Sequence, residues 1–168
     1  MAIDTDDNPT PTMSAAERLQ FLQEVDLFQD LGQTEFLQQL VAGLEEVQFP
    51  ADCTVFAQGD RADLLYILVS GRVKIYLDDV QLAEVTPGSY FGEMALLECR
   101  PRSASVTTVE PSQCLVLTQE QVYQAIKEQP EVTLQMIHGL CQRVRRLNRL
   151  FGASEDLFYN QVQQQFLS

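Results

Sequence analysis

The middle of the chain is a series of short apolar runs separated by turn residues. The runs are rich in β-branched and aromatic residues, and the breaks between them carry Gly, Pro, Asp and Ser. Short strands at this spacing are typical of an all-β barrel or roll. The predicted strands are Val47 to Phe49, Thr54 to Ala57, Leu64 to Val69, Val73 to Leu77, Val80 to Val85, Ala104 to Val109 and Gln113 to Leu117.

The periodicity becomes helical ahead of this region. The sequence predicts helices over Ala15 to Val25 and over Gln33 to Glu46. Apolar residues of the second helix recur at a spacing that places them on a single face. These residues are Phe36, Leu37, Leu40, Val41 and Leu44.

Helices return after the last predicted strand. Thr118 and Gln121 form a Thr-x-x-Gln capping box, which predicts a helix as far as about Lys127. Pro130 is suited to the first position of a longer helix that reaches Phe151. Within residues 152–168 the pattern predicts one further short helix.

The long helix carries an apolar seam with the 4-3 spacing of a coiled coil. Its members are Thr133, Ile137, Leu140, Val144, Leu147 and Phe151. This seam predicts contact with a second helix, and packing on the protein's own β-roll is the alternative. Arg143, Arg145, Arg146 and Arg149 lie on the same helix, where a solvated face is the simplest interpretation.

Composition narrows the possible functions. A chain of 168 residues suits one domain with a real core. The net charge of -13 argues against nucleic-acid binding by bulk electrostatics. Residues 1–13 are predicted to be a disordered tail rather than a secretory signal. The longest apolar run, residues 64–69, is too short to span a membrane, so we expect a cytoplasmic protein.

Cysteines and histidines give no sign of a metal site or of catalysis. The four cysteines, Cys53, Cys99, Cys114 and Cys141, are dispersed, and His138 is the single histidine. A metal site needs closer clustering, and free thiols are the expected state. Because no nucleophile and base are placed by a motif, we do not expect an enzyme.

Residues 88–106 hold the chemistry of a small phosphate site. Gly92 is followed at once by Glu93, a short apolar turn comes next, and Arg102 leads into a predicted strand. Helix N-termini and an arginine fork bind anions, whereas a carboxylate accepts hydrogen bonds from a sugar hydroxyl. Together they indicate a ribose phosphate. The alternative is an ordinary helix start at Glu93, with Arg102 on the surface beside Glu98.

This segment resembles the phosphate-binding cassette of cyclic-nucleotide-binding domains. The family includes catabolite activator proteins, regulatory subunits of cyclic-AMP-dependent kinase and gated ion channels. The motif stands here as Phe91-Gly92-Glu93-Met94-Ala95-Leu96 and Pro101-Arg102-Ser103-Ala104, and we call residues 91–104 the cassette. A second signature is similar to the early β-roll hairpin of the family: Gly59-Asp60, then Leu65 to Val73.

The resemblance covers about residues 25–151 and implies an α+β fold. Its centre is an antiparallel, jelly-roll-like β-roll over about residues 47–117. Helices lie on both sides, and the C-terminal helices, 118–151, act as lid and dimer contact. The expected domain is therefore 14–151.

The resemblance also implies roles for individual residues. Arg102 pairs with the cyclic phosphate, and backbone N–H groups near Gly92, Met94 and Ala95 contact it. Glu93 accepts the ribose 2′-hydroxyl, and Ser103 touches phosphate or base. Asn148 lies where the catabolite-activator pattern faces the base. The expected apolar lining is Ile75, Val73 and Leu82.

Two functions remain open from the sequence. The first is a stand-alone regulatory module that binds cyclic AMP, with cyclic GMP possible and no metal, and that signals by repositioning its C-terminal helices. It would form a homodimer through residues 130–151 and contact an unknown protein partner. The sequence ends at Ser168 with no winged-helix segment, so we expect no DNA binding. The alternative is a nucleotide-free protein-interaction module on the same fold.

Overall fold

The computed structural model describes residues 12–31 and 34–150. Most of the predicted tail lies outside the described residues, since only its residues 12 and 13 are described. The predicted last helix and Phe151 also lie outside them. The elements are α1 (Ala15–Glu24), a 3₁₀ turn (Gln29–Leu31), α2 (Glu35–Ala42), β1 (Glu45–Phe49), β2 (Thr54–Phe56), β3 (Leu64–Ser70), β4 (Val73–Leu77), β5 (Val80–Val85), β6 (Tyr90–Phe91), α3 (Glu93–Glu98), β7 (Ser105–Thr108), β8 (Ser112–Thr118), α4 (Gln119–Glu128) and α5 (Pro130–Leu150).

The strands form two four-stranded sheets, in which every pairing is antiparallel. Their strand orders are β1-β8-β3-β6 and β2-β7-β4-β5. The predicted α+β fold with a central antiparallel roll is thus confirmed.

Strands β3 and β8 are buried on both faces. Their side chains alternate: Leu65 and Ile67 join the core beneath the helices, whereas Tyr66 and Leu68 join the core inside the roll. Successive side chains of a strand point to opposite faces, so a doubly covered strand is apolar throughout. This explains the continuous apolar run at residues 64–69.

The second predicted helix was too long. It ends at Ala42, where Gly43 is the C-cap and donates its backbone N–H to Leu40 and Val41 oxygens. Glu45 and Glu46 then belong to β1 and pair with β8. Strand pairing therefore prevailed over helical periodicity after the glycine. The two-residue strand β6 was missed because it is too short to show alternation.

The starts of the two C-terminal helices, α4 and α5, agree with the positions predicted from the sequence. Thr118 caps α4, and both hydrogen bonds of the predicted capping box with Gln121 are present. Pro130 is the first residue of α5. None of the helices in the described part of the chain is long and apolar enough to cross a membrane.

Only one side of α5 packs on the roll. Val132 and Met136 are buried in the helix-side core, whereas Ile137 and Val144 of the predicted seam are 48% and 53% exposed. Ile137 and Val144 are therefore largely open to solvent in the described chain. Thr133, Leu140 and Leu147 of the same seam are half-buried, and contact of the seam with a second helix stays a prediction.

Candidate nucleotide site

The site begins at the tight turn from β6 into α3. Gly92 is the N-cap of α3 and has a left-handed backbone, with φ of 88°. A Cβ at this position would lie 2.7 Å from Nη1 of Arg102. Both the backbone angle and the close approach require glycine. Gly92 thereby lets Arg102 reach the start of α3.

Arg102 is held rigidly in the interior. It is 3% exposed, and its Nη1 and Nη2 each donate a 2.8 Å hydrogen bond, to the Gly92 and Leu64 carbonyl oxygens. The guanidinium carbon lies 4.0 Å from the centroid of the Phe56 ring. The alternative of a surface arginine is therefore wrong.

One nitrogen atom of this guanidinium makes no hydrogen bond to the described residues. Nε of Arg102 is buried and has no hydrogen-bond partner among the described residues. Burial lowers the pKa of Arg102, while Tyr66, Asp63, Asp60 and Glu93 oppose the shift. An arginine starts so far above neutrality that it stays charged. Arg102 thus presents a fixed positive charge and one unused donor.

Glu93 is the matching buried acceptor, at 1% exposure. Its Oε1 accepts a hydrogen bond from Nη1 of Arg143, which lies on α5. Its Oε2 is buried and has no partner among the described residues. The start of α3 has no side-chain capping hydrogen bond, since its N-cap, Gly92, has no side chain. A carboxylate with one free oxygen can accept a hydroxyl proton.

Arg143 joins the cassette to α5. Besides Glu93, it donates from Nη2 to the Tyr90 carbonyl oxygen at 2.5 Å, and its guanidinium carbon lies 5.4 Å from the centroid of the Tyr90 ring. The prediction of a solvated face is therefore wrong for Arg143. The sequence contained a signal: Val132, Met136, Gly139 and Arg143 continue one face of α5 at 4-3-4 spacing.

Burial of Tyr90 beneath α5 changes its acidity. Tyr90 is 5% exposed, and burial raises the pKa of its phenol to about 12, with a further contribution from Glu93. A Cβ on Gly139 would lie 2.6 Å from the Tyr90 hydroxyl oxygen. Glycine at 139 therefore allows α5 to lie directly on this ring.

A small cavity of about 50 Å³ gathers the predicted cassette residues. Six of the seven residues predicted to bind the ligand line it together: Gly92, Glu93, Met94, Ala95, Arg102 and Ser103. The remaining walls are Phe56, Ile75, Ala104, Val106 and Arg143. Ile75 was expected there, whereas Val73 and Leu82 are absent from the described lining. Phe56 and Arg143 were missed by sequence reasoning.

A larger cavity of about 250 Å³ adjoins it between the roll and α5. Ile75 and Arg143 line both cavities. The α5 wall consists of Gln135, His138, Gly139, Gln142, Arg143 and Arg146. Asn148 is not among the described residues that line either cavity, and its proposed role stays a prediction.

The structure offers no metal-binding chemistry in this region. Within residues 12–31 and 34–150 there is no group of three or more His, Cys, Asp or Glu side chains placed to hold a metal ion. The four cysteines are all free thiols. The charged residues that line the smaller cavity are Glu93, Arg102 and Arg143.

Residues 46–129 match the family model of the cyclic nucleotide-binding domain. This match covers half of the chain. The chain belongs to the cyclic nucleotide-binding domain family. Glu93 and Arg102, to which the sequence resemblance assigned roles in ligand binding, are both buried and both line the smaller cavity.

Known members of the cyclic nucleotide-binding domain family resemble the chain over most of its length. The "CRP-like cAMP-activated global transcriptional regulator" of Mycobacterium tuberculosis is 32% identical over 128 residues, which are 73% of this chain and 56% of that protein. The cGMP-dependent protein kinase of Plasmodium berghei is 36% identical over 99 residues, 58% of this chain and 11% of the kinase. The chain therefore spans about half, or much less, of these relatives.

A solved structure agrees with the cyclic nucleotide-binding fold. The catabolite activator protein of Thermus thermophilus superposes with a TM-score of 0.65 at 30% sequence identity. The superposition covers 76% of this chain and 62% of that protein. The roll and its flanking helices are thus shared with that protein.

Proposed function

We propose that the protein is a regulatory module that binds a purine cyclic nucleotide, with cyclic AMP favoured and cyclic GMP as the alternative. One observation carries the proposal. Oε2 of Glu93 and Nε of Arg102 are both buried, both without a partner among the described residues, and both on residues lining one small cavity. Leaving such groups unsatisfied costs about 1–3 kcal/mol each, and more when they are charged.

A cyclic nucleotide supplies the missing partners. Its phosphate is an anion for Arg102, and the left-handed turn at Gly92 presents the first backbone N–H groups of α3, near Met94 and Ala95, to the same anion. Its ribose 2′-hydroxyl donates to Glu93. Ser103 is exposed at the mouth of the cavity, where its hydroxyl can reach a phosphate oxygen or the base.

Similarity to known proteins supports cyclic AMP as the ligand. The name of the Mycobacterium tuberculosis relative includes activation by cAMP. The Plasmodium berghei kinase is named for cGMP dependence, which keeps that nucleotide as the alternative. We propose a binding role rather than an enzymatic one, because the described site presents no nucleophile beside a base.

We propose that ligand binding is transmitted to the protein surface by a change in the position of α5. Arg143 ties α5 to Glu93 and to the Tyr90 carbonyl. A ribose that hydrogen-bonds Glu93 alters the environment of this ion pair. Ligand binding thus biases the position of α5 by the difference in affinity between two helix positions. We further propose that the protein acts in the cytoplasm on a protein partner, as a homodimer through residues 130–151.

Calorimetric titration tests the proposal. We expect heat of binding with cyclic AMP for the wild type. Arg102→Leu should lose roughly 2–5 kcal/mol of binding free energy, because a buried charge-assisted contact is removed. Arg100→Leu is the matched control, since Arg100 is exposed two residues earlier in the chain.

Folding must be monitored because Arg102 also holds two carbonyl groups. Thermal melting of each variant shows whether the roll is intact. Arg102→Lys keeps the charge and should lose less affinity than Arg102→Leu. Absence of binding heat at millimolar cyclic AMP and cyclic GMP in the wild type overturns the proposal and favours the nucleotide-free interaction module.

A further inference from the structure

Arg102 is a buried cation that no carboxylate neutralises. It is 3% exposed, and none of the salt bridges among the described residues includes it. The charges of Asp60, Asp63 and Glu93 act on it from beyond salt-bridge distance. Because buried charges are normally paired, another kind of group must help to stabilise this guanidinium.

The two hydrogen bonds of Arg102 leave one movement of the guanidinium open. Nη1 and Nη2 donate at 2.8 Å to the carbonyl oxygens of Gly92 and Leu64. These bonds fix the line that joins the two nitrogens, but a carbonyl oxygen accepts over a broad range of directions. The planar group can therefore tilt about that line, and a tilt redirects the N–H group at Nε. The group that lies against the guanidinium face sets this tilt.

The ring of Phe56 lies against the guanidinium of Arg102. The guanidinium carbon is 4.0 Å from the Phe56 centroid and 5.9 Å from the Tyr66 centroid. The shorter separation is close to the contact distance of two carbon atoms, about 3.5–4.0 Å, as expected for two planar groups that stack face to face. The face of an aromatic ring is negative and attracts a cation. Stacking leaves the N–H donors free, because they lie in the guanidinium plane.

Phe56 is itself held in place by its neighbours. It is the last residue of β2 and pairs with Val106 of β7. Its ring centroid lies 5.8 Å from that of Tyr66 and 6.1 Å from that of Phe91. Tyr66 and Phe91 are buried and stack on each other at 5.2 Å. Phe56 therefore presents a fixed ring to Arg102, and both residues line the smaller cavity.

We propose that Phe56 is a positioning residue of the phosphate site, which supports the buried charge of Arg102 and directs its unpartnered Nε towards an anion in the smaller cavity. This inference rests on the proposed function, in which the anion is the cyclic phosphate. A carboxylate in place of Phe56 would neutralise Arg102 and compete with the phosphate. An aliphatic side chain would neither attract the cation nor favour a stacked guanidinium. An aromatic ring supports the charge and leaves the donor free.

Calorimetric titration with cyclic AMP compares Phe56→Leu with the matched control Phe49→Leu. Phe49 is also half-buried, and its ring lies 6.3 Å from that of Tyr66. It is not among the described residues that line the smaller cavity or stack on Arg102. We expect Phe56→Leu to weaken cyclic AMP about three- to thirtyfold, through loss of the cation–π contact, and Phe49→Leu less than about twofold. Phe56→Tyr restores the ring and should bind within about twofold of the wild type.

A double-mutant comparison separates positioning of Arg102 from direct contact between Phe56 and the ligand. The ammonium group of Arg102→Lys has no plane that can stack on the ring. Adding Phe56→Leu to this variant should therefore weaken cyclic AMP less than about twofold. An undiminished loss would mean that Phe56 contacts the ligand directly, and it would overturn the proposal. If Arg102→Lys binds too weakly to measure, the tyrosine variant decides, since its failure to restore affinity overturns the proposal as well.

The remaining outcomes separate this inference from the proposed function. If the wild type binds neither cyclic AMP nor cyclic GMP, the proposed function itself fails. If the wild type binds and Phe56→Leu and Phe49→Leu lose affinity equally, Phe56 only supports the roll, and this inference alone is overturned. Thermal melting of each variant monitors folding. Phe56→Met takes the place of Phe56→Leu if the leucine variant melts well below Phe49→Leu.

Discussion

At the scale of single residues, two buried charges carry the chemistry of the site. Glu93 and Arg102 are 1% and 3% exposed, and buried ions are normally paired and fully hydrogen-bonded. Each here keeps one atom without a partner among the described residues. The stability lost in this way is recoverable when a ligand supplies the missing bond.

Glu93→Ala tests the role of the carboxylate. We expect cyclic AMP to bind roughly 10- to 100-fold more weakly, because a charge-assisted hydrogen bond is lost. The 2′-deoxy analogue, which lacks the hydroxyl, should bind the variant and the wild type almost equally. Calorimetry with both ligands measures the difference, and Glu98→Ala at the exposed end of α3 is the control. Equal losses for the two ligands would show that Glu93 only holds Arg143 and the loop.

Tyr90 makes stability depend on alkaline pH. Burial raises the pKa of the Tyr90 phenol to about 12 in the folded protein, whereas a tyrosine in the unfolded chain keeps its ordinary pKa of 10.0. The unfolded chain therefore loses the phenol proton first, so folded stability is complete below pH 10 and falls as the pH rises towards 12. The loss amounts to at most about 2–3 kcal/mol.

Chemical denaturation between pH 8 and 12 checks this dependence. Tyr90→Phe should flatten the part of the decline that belongs to this phenol, whereas the same substitution at the half-buried Tyr76 serves as the control. An identical decline in Tyr90→Phe and the wild type would contradict the assignment.

At the scale of elements, α5 has two apolar faces with different neighbours. Val132 and Met136 bury one face against the roll, while Leu134, Ile137 and Val144 remain 57%, 48% and 53% exposed. A helix that packs only on its own domain needs one apolar face. The exposed seam is the reason for proposing a second copy as its neighbour, since closed two-fold dimers are the commonest assemblies.

Val144→Glu tests that dimer. The substitution places like charges on both sides of a two-fold seam, so we expect a dimeric wild type and a monomeric variant. Sedimentation equilibrium at tens of micromolar measures the mass. Val80→Glu is a matched control, because Val80 is 49% exposed in the β4–β5 hairpin. A monomeric wild type would contradict the prediction, and so would an equal effect of both variants.

At the scale of the whole molecule, a chain of contacts connects the cassette with the exposed helix α5. The described path is short: Glu93 holds Arg143, Arg143 holds the Tyr90 carbonyl, and Tyr90 packs on Gly139. These contacts connect Glu93 of the cassette, and Tyr90 just before it, with α5. A ligand that changes any of them changes the stability of that helix.

Amide hydrogen exchange measures this coupling. We expect cyclic AMP to change exchange within residues 140–150 of α5 as well as within residues 88–106, because Arg143 lies in the first range and Glu93 in the second. Arg143→Ala should remove the change on α5 and keep the change at the cassette. If ligand alters exchange only within residues 88–106 of the wild type, α5 is not the relay. The further helix that the sequence predicts within residues 152–168 lies outside the described residues.

The sequence alone determined much of the architecture. Alternation and turn residues predicted seven of the strands that the structure describes, because burial on one or both faces acts on neighbouring residues of the same strand. The sequence also predicted the capping box at Thr118 and the start of α5 at Pro130. Both features depend on backbone groups that are only a few residues apart. The cassette could be recognised because its residues are close in sequence.

Only the tertiary structure decided how distant segments meet. From the sequence, Arg143 was interpreted as one of four solvated arginines. Packing of α5 at Gly139 instead brings Arg143 to Glu93, which is fifty residues away in the chain. The same packing places Gly139 against the hydroxyl of Tyr90, which helical spacing cannot show without knowing the buried face. Local patterns fix the elements because their interactions lie within a few residues. The partner of a buried charge depends on how those elements pack, and that is set by shape and close contact across the whole fold.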